Sequence, residues 1–362
     1  MKGALAQALL ASVMDWTPEE SARERPELDD LATFKYDEYQ QYRPGMRFIE
    51  SLALWLSQFE TLAARRAAYN HVRRHLIFLS SDEVSHLVAM AYPDLVRPRL
   101  LRMTANDLAL PSHLVARLSR TDEFKELQRR TLFLGLSDGA HTDMFRRENP
   151  QLTHEQVLQT YEVSPERVSS LLTSLAADLP LLAVPPTFRA VVLLDDFTAS
   201  GLSYLRKEAD IWKGKIGRFH ALLTSLPCSQ LIGGEPVPVF VVLYAATERA
   251  CEYLRAVTAD LSRTAPGLTY EVLVGQLLPR AAELHPGQNP TLDQLIEAHY
   301  DPSLEDRHTW VGGTDLKYGF NACGLSTVLY HNAPNNSLAL LVGETDRFKA
   351  LFPRVRRHAE HE

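Results

Sequence analysis

Two adjacent acids, Asp195 and Asp196, end the aliphatic run Val191–Leu194, and Phe197, Thr198, Ala199, Ser200, Gly201, Leu202 and Ser203 follow them. A tight Ser/Gly turn ahead of a helix offers backbone amides to an anion, and Ser200 and Ser203 add hydroxyl donors. The helix is expected to begin near Leu202. Two carboxylates would repel that anion, so they should face something neutral or cationic. The vicinal hydroxyls of a ribose meet this requirement, with or without a bridging Mg²⁺. One loop therefore fits a ribose 5-phosphate, with the phosphate on the turn and the diol on the acids. The plainer alternative is that the acids only cap a helix. Receiver domains and haloacid-dehalogenase-like phosphatases also place acids at a strand end. The phosphatase pattern needs a second acid two residues after the first, where this chain has Phe197, and a receiver is about a third of this length.

Other segments carry chemistry less distinctively. In "GLSDGAHTDMFRREN", Ser137, Asp138 and Gly139 follow an apolar run and could line a pyrophosphate, with Arg146 and Arg147 adding bidentate contacts. Equally, Asp138 could cap the next helix and an arginine could lie on its solvated face. In "HNAPNNSLALL", His331, Asn332, Asn335 and Asn336 could read a base or acceptor by paired hydrogen bonds, or could simply build a turn. "WKGKIGRFH" offers Lys213, Lys215 and Arg218 between glycines, either to close over a pyrophosphate or touch a nucleic acid, or as a solvated basic loop. The thirteen histidines show no HExxH or other metal spacing, so no structural metal is expected. GxGxxG, GxxxxGK[ST] and GxSxG are missing from any fitting context, which disfavours P-loop hydrolysis and serine esterase chemistry.

The elements that must position these residues follow from hydrophobic patterning. Continuous apolar runs at 75–81, 130–140, 190–200, 237–247 and 270–278 alternate with helical stretches, and 325–331 and 338–343 read as two further strands. Unbroken rather than alternating runs signal a mostly parallel α/β sheet covered by helices on both faces. Ligands bind such sheets at the carboxyl ends of the strands. That is where Ser80, Ser81, Asp82, Ser137, Asp138, Gly139, Asp195, Asp196, Thr247 and Glu248 fall. Residues 1–70 read as a helical N-terminal extension whose strongest helix is "RFIESLALWLSQFETLAARRAAYNHVRRH". The α/β domain is expected over 71–355, with a Pro-, Gly- and charge-rich insertion or lid at about 279–318.

Composition bounds the rest. The chain has 362 residues, 45% hydrophobic and 23% charged, enough to bury a core without a disulfide or metal staple. Its net charge of −7 argues against bulk binding to a nucleic acid backbone, though a local basic groove is compatible with it. Three widely spaced cysteines read as buried thiols of a reducing compartment. The first twenty residues read as an amphipathic helix rather than a signal peptide, and no run approaches a membrane span. A cytoplasmic protein without membrane contact is expected.

"VVLLDDFTASGLS" resembles the phosphoribosyl-pyrophosphate loop of type I phosphoribosyltransferases, in which hydrophobic residues precede two acids and a Thr/Ser-Gly turn. Together with "LFLGLSDGAHTDMFRRENPQLTHEQV" and "YGFNACGLSTVLYHNAPNNSLALL", it resembles phosphoribosyltransferase-like proteins of bacterial conflict and antiphage systems, some of them retron-associated. The resemblance spans about 45–355. It implies a type I phosphoribosyltransferase-like fold and a defence effector or partner whose ligand is phosphoribosyl pyrophosphate or a nucleotide. Mg²⁺ would accompany a pyrophosphate-containing ligand, and other proteins or a nucleic acid-containing defence complex would be partners. The resemblance also implies Asp195 and Asp196 as the catalytic pair. The loop departs from the family at Ala199, where purine-type transferases carry an acid, and at Leu202, where a second glycine is common. A catalytically inactive nucleotide-sensing or partner-binding module is the alternative.

Overall fold

The structure is a computed structural model and describes residues 3–179, 186–234, 236–306 and 309–355. It forms two compact units, Met1–Val84 with Pro279–Glu362, and Ser85–Leu278. The sequence division at 70/71 is thus not where the compact units part.

The first unit is helical, with a small sheet. Its helices include Gly3–Met14, Pro18–Phe34, Phe48–Ser57 and Leu62–His75. The stretch read as one long helix is two, because Thr61 turns extended and caps the second by accepting from the Ala64 amide at 3.1 Å. Strand β1 (Ile77–Leu79) belongs here. Its partner is not in the main sheet but lies 250 residues on, at Thr327–Leu329, in parallel register Ile77↔Thr327. The core gathers Phe48, Trp55, Phe59 and Phe352, and each such buried side chain is worth roughly 1.5–3 kcal/mol. Trp55 Nε1 donates to Leu340 O at 2.9 Å. The run at 338–343, expected as a strand, is a short helix, Ala339–Val342, buried on every side. Periodicity does not separate a buried helical turn from a buried strand. The segment expected as a lid contributes Leu292 and Ile296, on helix Pro290–His299, to this unit's core.

The second unit carries a five-stranded parallel sheet, four of whose strands fall on the expected apolar runs, while β3 falls on none of them. Its strands are β2 (Thr131–Gly135), β3 (Val157–Leu158) and β4 (Ala190–Thr198). A small hairpin, β5 (Arg206–Glu208) and β6 (Ile211–Lys213), stands apart from it. The sheet continues with β7 (Val237–Thr247) and β8 (Leu268–Leu278), and β9 is the Thr327–Leu329 strand of the first unit. Strand order is β3-β2-β4-β7-β8, with every pair parallel. Val191 to Leu194 are wholly buried at its centre. From β2 the chain moves outward to β3, then crosses back to β4 and proceeds the other way. The strand order therefore reverses between β2 and β4. In open α/β sheets the crevice beyond the strand ends at such a reversal is the binding place.

After β4 the structure departs from expectation. No helix begins near Leu202. The amides of Tyr204 and Leu205 bond Gly201 O in a turn, and the chain then runs through the β5–β6 hairpin. Ala209 and Asp210 take left-handed geometry (φ 45° and 66°) at its tip, the conformation two-residue hairpins require. A helix, Lys215–Leu223, follows only after it.

Candidate functional site

Because β2 and β4 are neighbours in register (Gly135↔Leu194), the residues just beyond them meet. Strand alternation sends successive side chains to opposite faces, and the acid pair is divided accordingly. Asp195 is fully buried. Its Oδ1 accepts from the Ser137 hydroxyl, and its Oδ2 takes the Lys215 ammonium. Burial pushes its carboxyl up; the Lys215 charge pulls it back, and neighbouring Asp196 adds to the rise. Asp195 is thus buried and bonded at both oxygens by the protein itself, whereas the paired-acid reading expects both acids to face a ribose diol. The physical reason is Lys215, an internal cation that lets a carboxylate be buried.

Asp196 is only partly buried. Its Oδ1 accepts from the Phe197 amide at 2.7 Å, and its carboxylate lies over Gly139. A Cβ at Gly139 would stand 2.3 Å from Asp196 Oδ2. The two loops that the sequence singles out separately therefore close on each other twice, Ser137 on Asp195 and Gly139 under Asp196. Asp138 is exposed on a short turn of 3₁₀ helix, Asp138–Ala140. It does not cap helix Thr142–Glu148, which is preceded by His141 in left-handed geometry with no side-chain cap. On that helix Arg146 is partly buried, whereas Arg147 is exposed and pairs with Asp143 at 3.2 Å.

The turn after the acids is built from its own side chains. Thr198 Oγ1 accepts from the Gly201 amide (3.1 Å) and Ser200 Oγ from the Leu202 amide (3.3 Å). Gly201 has φ 76°, and a Cβ there would lie 2.8 Å from the Tyr253 ring, so both conformation and space require glycine. Ala199 is buried, and its carbonyl accepts from Thr247 Oγ1 at 2.7 Å. Thr247 in turn caps helix Glu248–Thr264 by accepting from the Ala250 amide. Phe197 O accepts from Tyr204 Oη at 3.2 Å. Ser203 is exposed, and its carbonyl takes the Lys215 amide.

Beneath the loops, Tyr244 donates to Ala140 O at 2.6 Å. Burial first, then the nearby charges of Asp195, Asp196 and Asp143, hold its phenol far above the ordinary range. Sequence reasoning missed Tyr244 and the specific part of Lys215. Lys215 stood in the basic stretch with Lys213 and Arg218, but nothing in the sequence set it apart from them or named its partner. Of the other basic residues in that stretch, Arg218 donates to Tyr161 Oη at 3.1 Å and Lys213 is exposed.

His331, Asn332, Asn335 and Asn336 lie in the first unit, where each has backbone work. Gln41 donates to His331 O, Phe320 N to Asn335 O, Asn332 Oδ1 accepts from the Ala333 and Val355 amides, and buried Asn336 donates to Phe320 O. Surface clefts of about 300 and 450 Å³ are found in the second unit, the first beside Arg99 and Arg255, the second beside Tyr92 and Phe124; neither is lined by a residue of the two loops. Among the described residues no helix is long and apolar enough to cross a membrane, and no group of three His, Cys, Asp or Glu could hold a metal ion.

No curated protein and no solved structure matches the chain. A family model does: PRTase-CE matches residues 52–354, which takes in both switch-point loops. The chain belongs to this phosphoribosyltransferase-like family.

Proposed function

We propose that the chain binds a ribose 5-phosphate group, as phosphoribosyl pyrophosphate or a nucleotide, at the β2/β4 switch point, and transfers or cleaves at its anomeric carbon. The observation that carries this reading is the closure of the 137–139 loop on the acid pair where the strand order of the five-stranded sheet reverses. Asp196, the partly exposed acid, takes the ribose hydroxyls; Asp195 stands behind it. Thr198 to Gly201 with Ser203 form the phosphate side, and Ser137 to Gly139 with Arg146 the pyrophosphate side.

Chemistry at the anomeric carbon passes through an oxocarbenium-like state, and the protein's part is to hold the sugar and offer an acceptor. Mg²⁺ bound with a pyrophosphate-containing ligand would supply neutralising charge for the departing group, and Asp196 and the 137–139 loop are the residues that would face it. Of the acid pair, Asp195 is closed by an ammonium and Asp196 is the partly exposed acid.

In the cell this activity serves as an antiphage defence effector in the cytoplasm, with other proteins or a nucleic acid-containing complex as partners. That context rests on sequence resemblance in the three quoted segments. A second reading, a nucleotide-sensing or partner-binding module without turnover, is favoured by Ala199, buried and clasped by Thr247 where purine-type transferases carry an acid. Calorimetric titration with phosphoribosyl pyrophosphate, ribose 5-phosphate and nucleotides, with and without Mg²⁺, followed by mass analysis of products, separates these. Binding with new products supports the enzyme; binding without products supports the sensor; no binding removes both.

A further inference from the structure

The chain spends an unusual amount of backbone geometry on bringing one lysine back to Asp195. The hairpin leaves the phosphate turn at Leu205 and returns at Gly214, whose φ is 94°. A Cβ at Gly214 would lie 2.6 Å from Tyr204 O, so only glycine lets the returning strand press so close. The next two amides then bind the turn itself, Lys215 N to Ser203 O at 3.1 Å and Ile216 N to Tyr204 O at 2.8 Å. This delivers the Lys215 ammonium to Asp195 Oδ2, with its charge 4.7 Å from the centre of the Tyr204 ring. Tyr204 in turn donates to Phe197 O.

The carboxylate that Lys215 neutralises is not idle. Its other oxygen holds Ser137, the first residue of the opposite loop, and Ser137 is two positions before the Gly139 that Asp196 covers. The groups facing Asp195 are thus Ser137 from the β2 loop, Lys215 from the hairpin's return, Asp196 from its own strand and Tyr244 from β7. A buried carboxylate without its cation would be strongly destabilised and would have to take up a proton or move toward water, and either change disturbs the bond by which it fixes the Ser137 hydroxyl.

We infer that Lys215 is a positioning residue of the ribose-phosphate site, acting through Asp195 and Ser137 to hold the two switch-point loops in register. The inference rests on the ribose-phosphate reading and assigns the hairpin its purpose: it carries the counter-ion of the buried acid, leaving Asp196 as the acid that meets the ligand. Lys215 itself does not touch the sugar.

The test uses the full chain, with ribose 5-phosphate as the probe in calorimetry and thermal unfolding as the control for folding. Lys215→Met should weaken binding at least tenfold at temperatures where the variant is folded. Asp195→Asn with Lys215→Met, which buries no unpaired charge, should recover most of that loss. Ser137→Ala added to Lys215→Met should weaken binding no further, because both act through one link. Unchanged binding by Lys215→Met, additive effects of Ser137→Ala, or failure of the double neutral variant to fold or to recover would each overturn the inference. If Lys215→Met does not fold, the double neutral variant decides alone. A wild-type chain that folds but does not bind ribose 5-phosphate overturns the ribose-phosphate reading instead, and the positioning role falls with it. Whether Asp195→Asn then relieves a Lys215→Met destabilisation still shows if Lys215 is the counter-ion.

Discussion

Gly139→Ala isolates Asp196 more cleanly than changing the acid itself. The added methyl would lie 2.3 Å from Asp196 Oδ2, 2.5 Å from Cγ and 2.9 Å from Oδ1. Ordinary carbon contacts are about 3.5–4 Å, so the carboxylate must retreat by about 1 Å or rotate away. Either movement strains its 2.7 Å bond from the Phe197 amide. Gly139 is not among the positive-φ glycines, so alanine suits the backbone there and slightly restricts the unfolded chain. Stability should therefore change by no more than about 1 kcal/mol, because only the end of one side chain has to give. Binding should suffer far more. A hydrogen bond to a charged group is worth roughly 1.5–3 kcal/mol, and each 1.4 kcal/mol is a factor of about ten. The expected loss of ribose 5-phosphate affinity is thus about 10- to 100-fold, measured by calorimetry beside a urea unfolding curve. Wild-type affinity in Gly139→Ala would refute the placement of Asp196 in the site. A stability loss above about 3 kcal/mol would refute the claim that the packing strain is confined to its carboxylate.

Other perturbations test separate parts of the account. Gly201→Ala meets both a left-handed φ of 76° and the Tyr253 and Leu254 side chains, and should lower stability by about 1–3 kcal/mol in denaturant unfolding, with weaker ligand binding. His71, buried with Nε2 2.7 Å from Ser326 Oγ, is held down to about 4 by burial and by His75. Its folded value lies below the ordinary 6.5, so its contribution is complete above pH 6.5 and is lost as pH falls toward 4. About 3 kcal/mol is at stake, and His71→Gln should flatten that part of the stability–pH curve relative to wild type. An identical pH profile in both proteins would contradict the buried neutral imidazole.

What the sequence made legible was whatever depends on local pattern. The runs at 130–140, 190–200 and 237–247 became β2, β4 and β7 because near-continuous apolar residues bounded by polar ones suit a strand buried on both faces, and the shorter apolar run at 270–278 became the half-exposed edge strand β8. Ser137, Gly139 and the acids stood out because they end those runs. Illegible were pairings set by distance along the chain. β1 joins β9 across 250 residues, and nothing in "IFL" distinguishes that partner from the main sheet. Lys215 reaches Asp195 only because a hairpin intervenes, and that hairpin turns on Ala209-Asp210, a weak signal beside Asn-Gly. Small polar residues followed by "YLRKE" look like a helix start, but the left-handed Gly201 and the turn that closes on its carbonyl send the chain into strand β5 instead. The inward turn of Asp195 could not be read without its cation, since the two adjacent acids are identical in sequence.

If Asp196 takes the ribose hydroxyls at the β2/β4 switch point, its carboxylate controls affinity for the ligand. Calorimetric titration of phosphoribosyl pyrophosphate with Mg²⁺ into the wild-type chain and into Asp196→Asn tests it most directly. Saturable one-to-one binding is expected of the wild type and at least a tenfold loss in the variant, with its thermal unfolding unchanged. Heat of dilution alone from the folded wild type, or equal affinities in the two proteins, would contradict it.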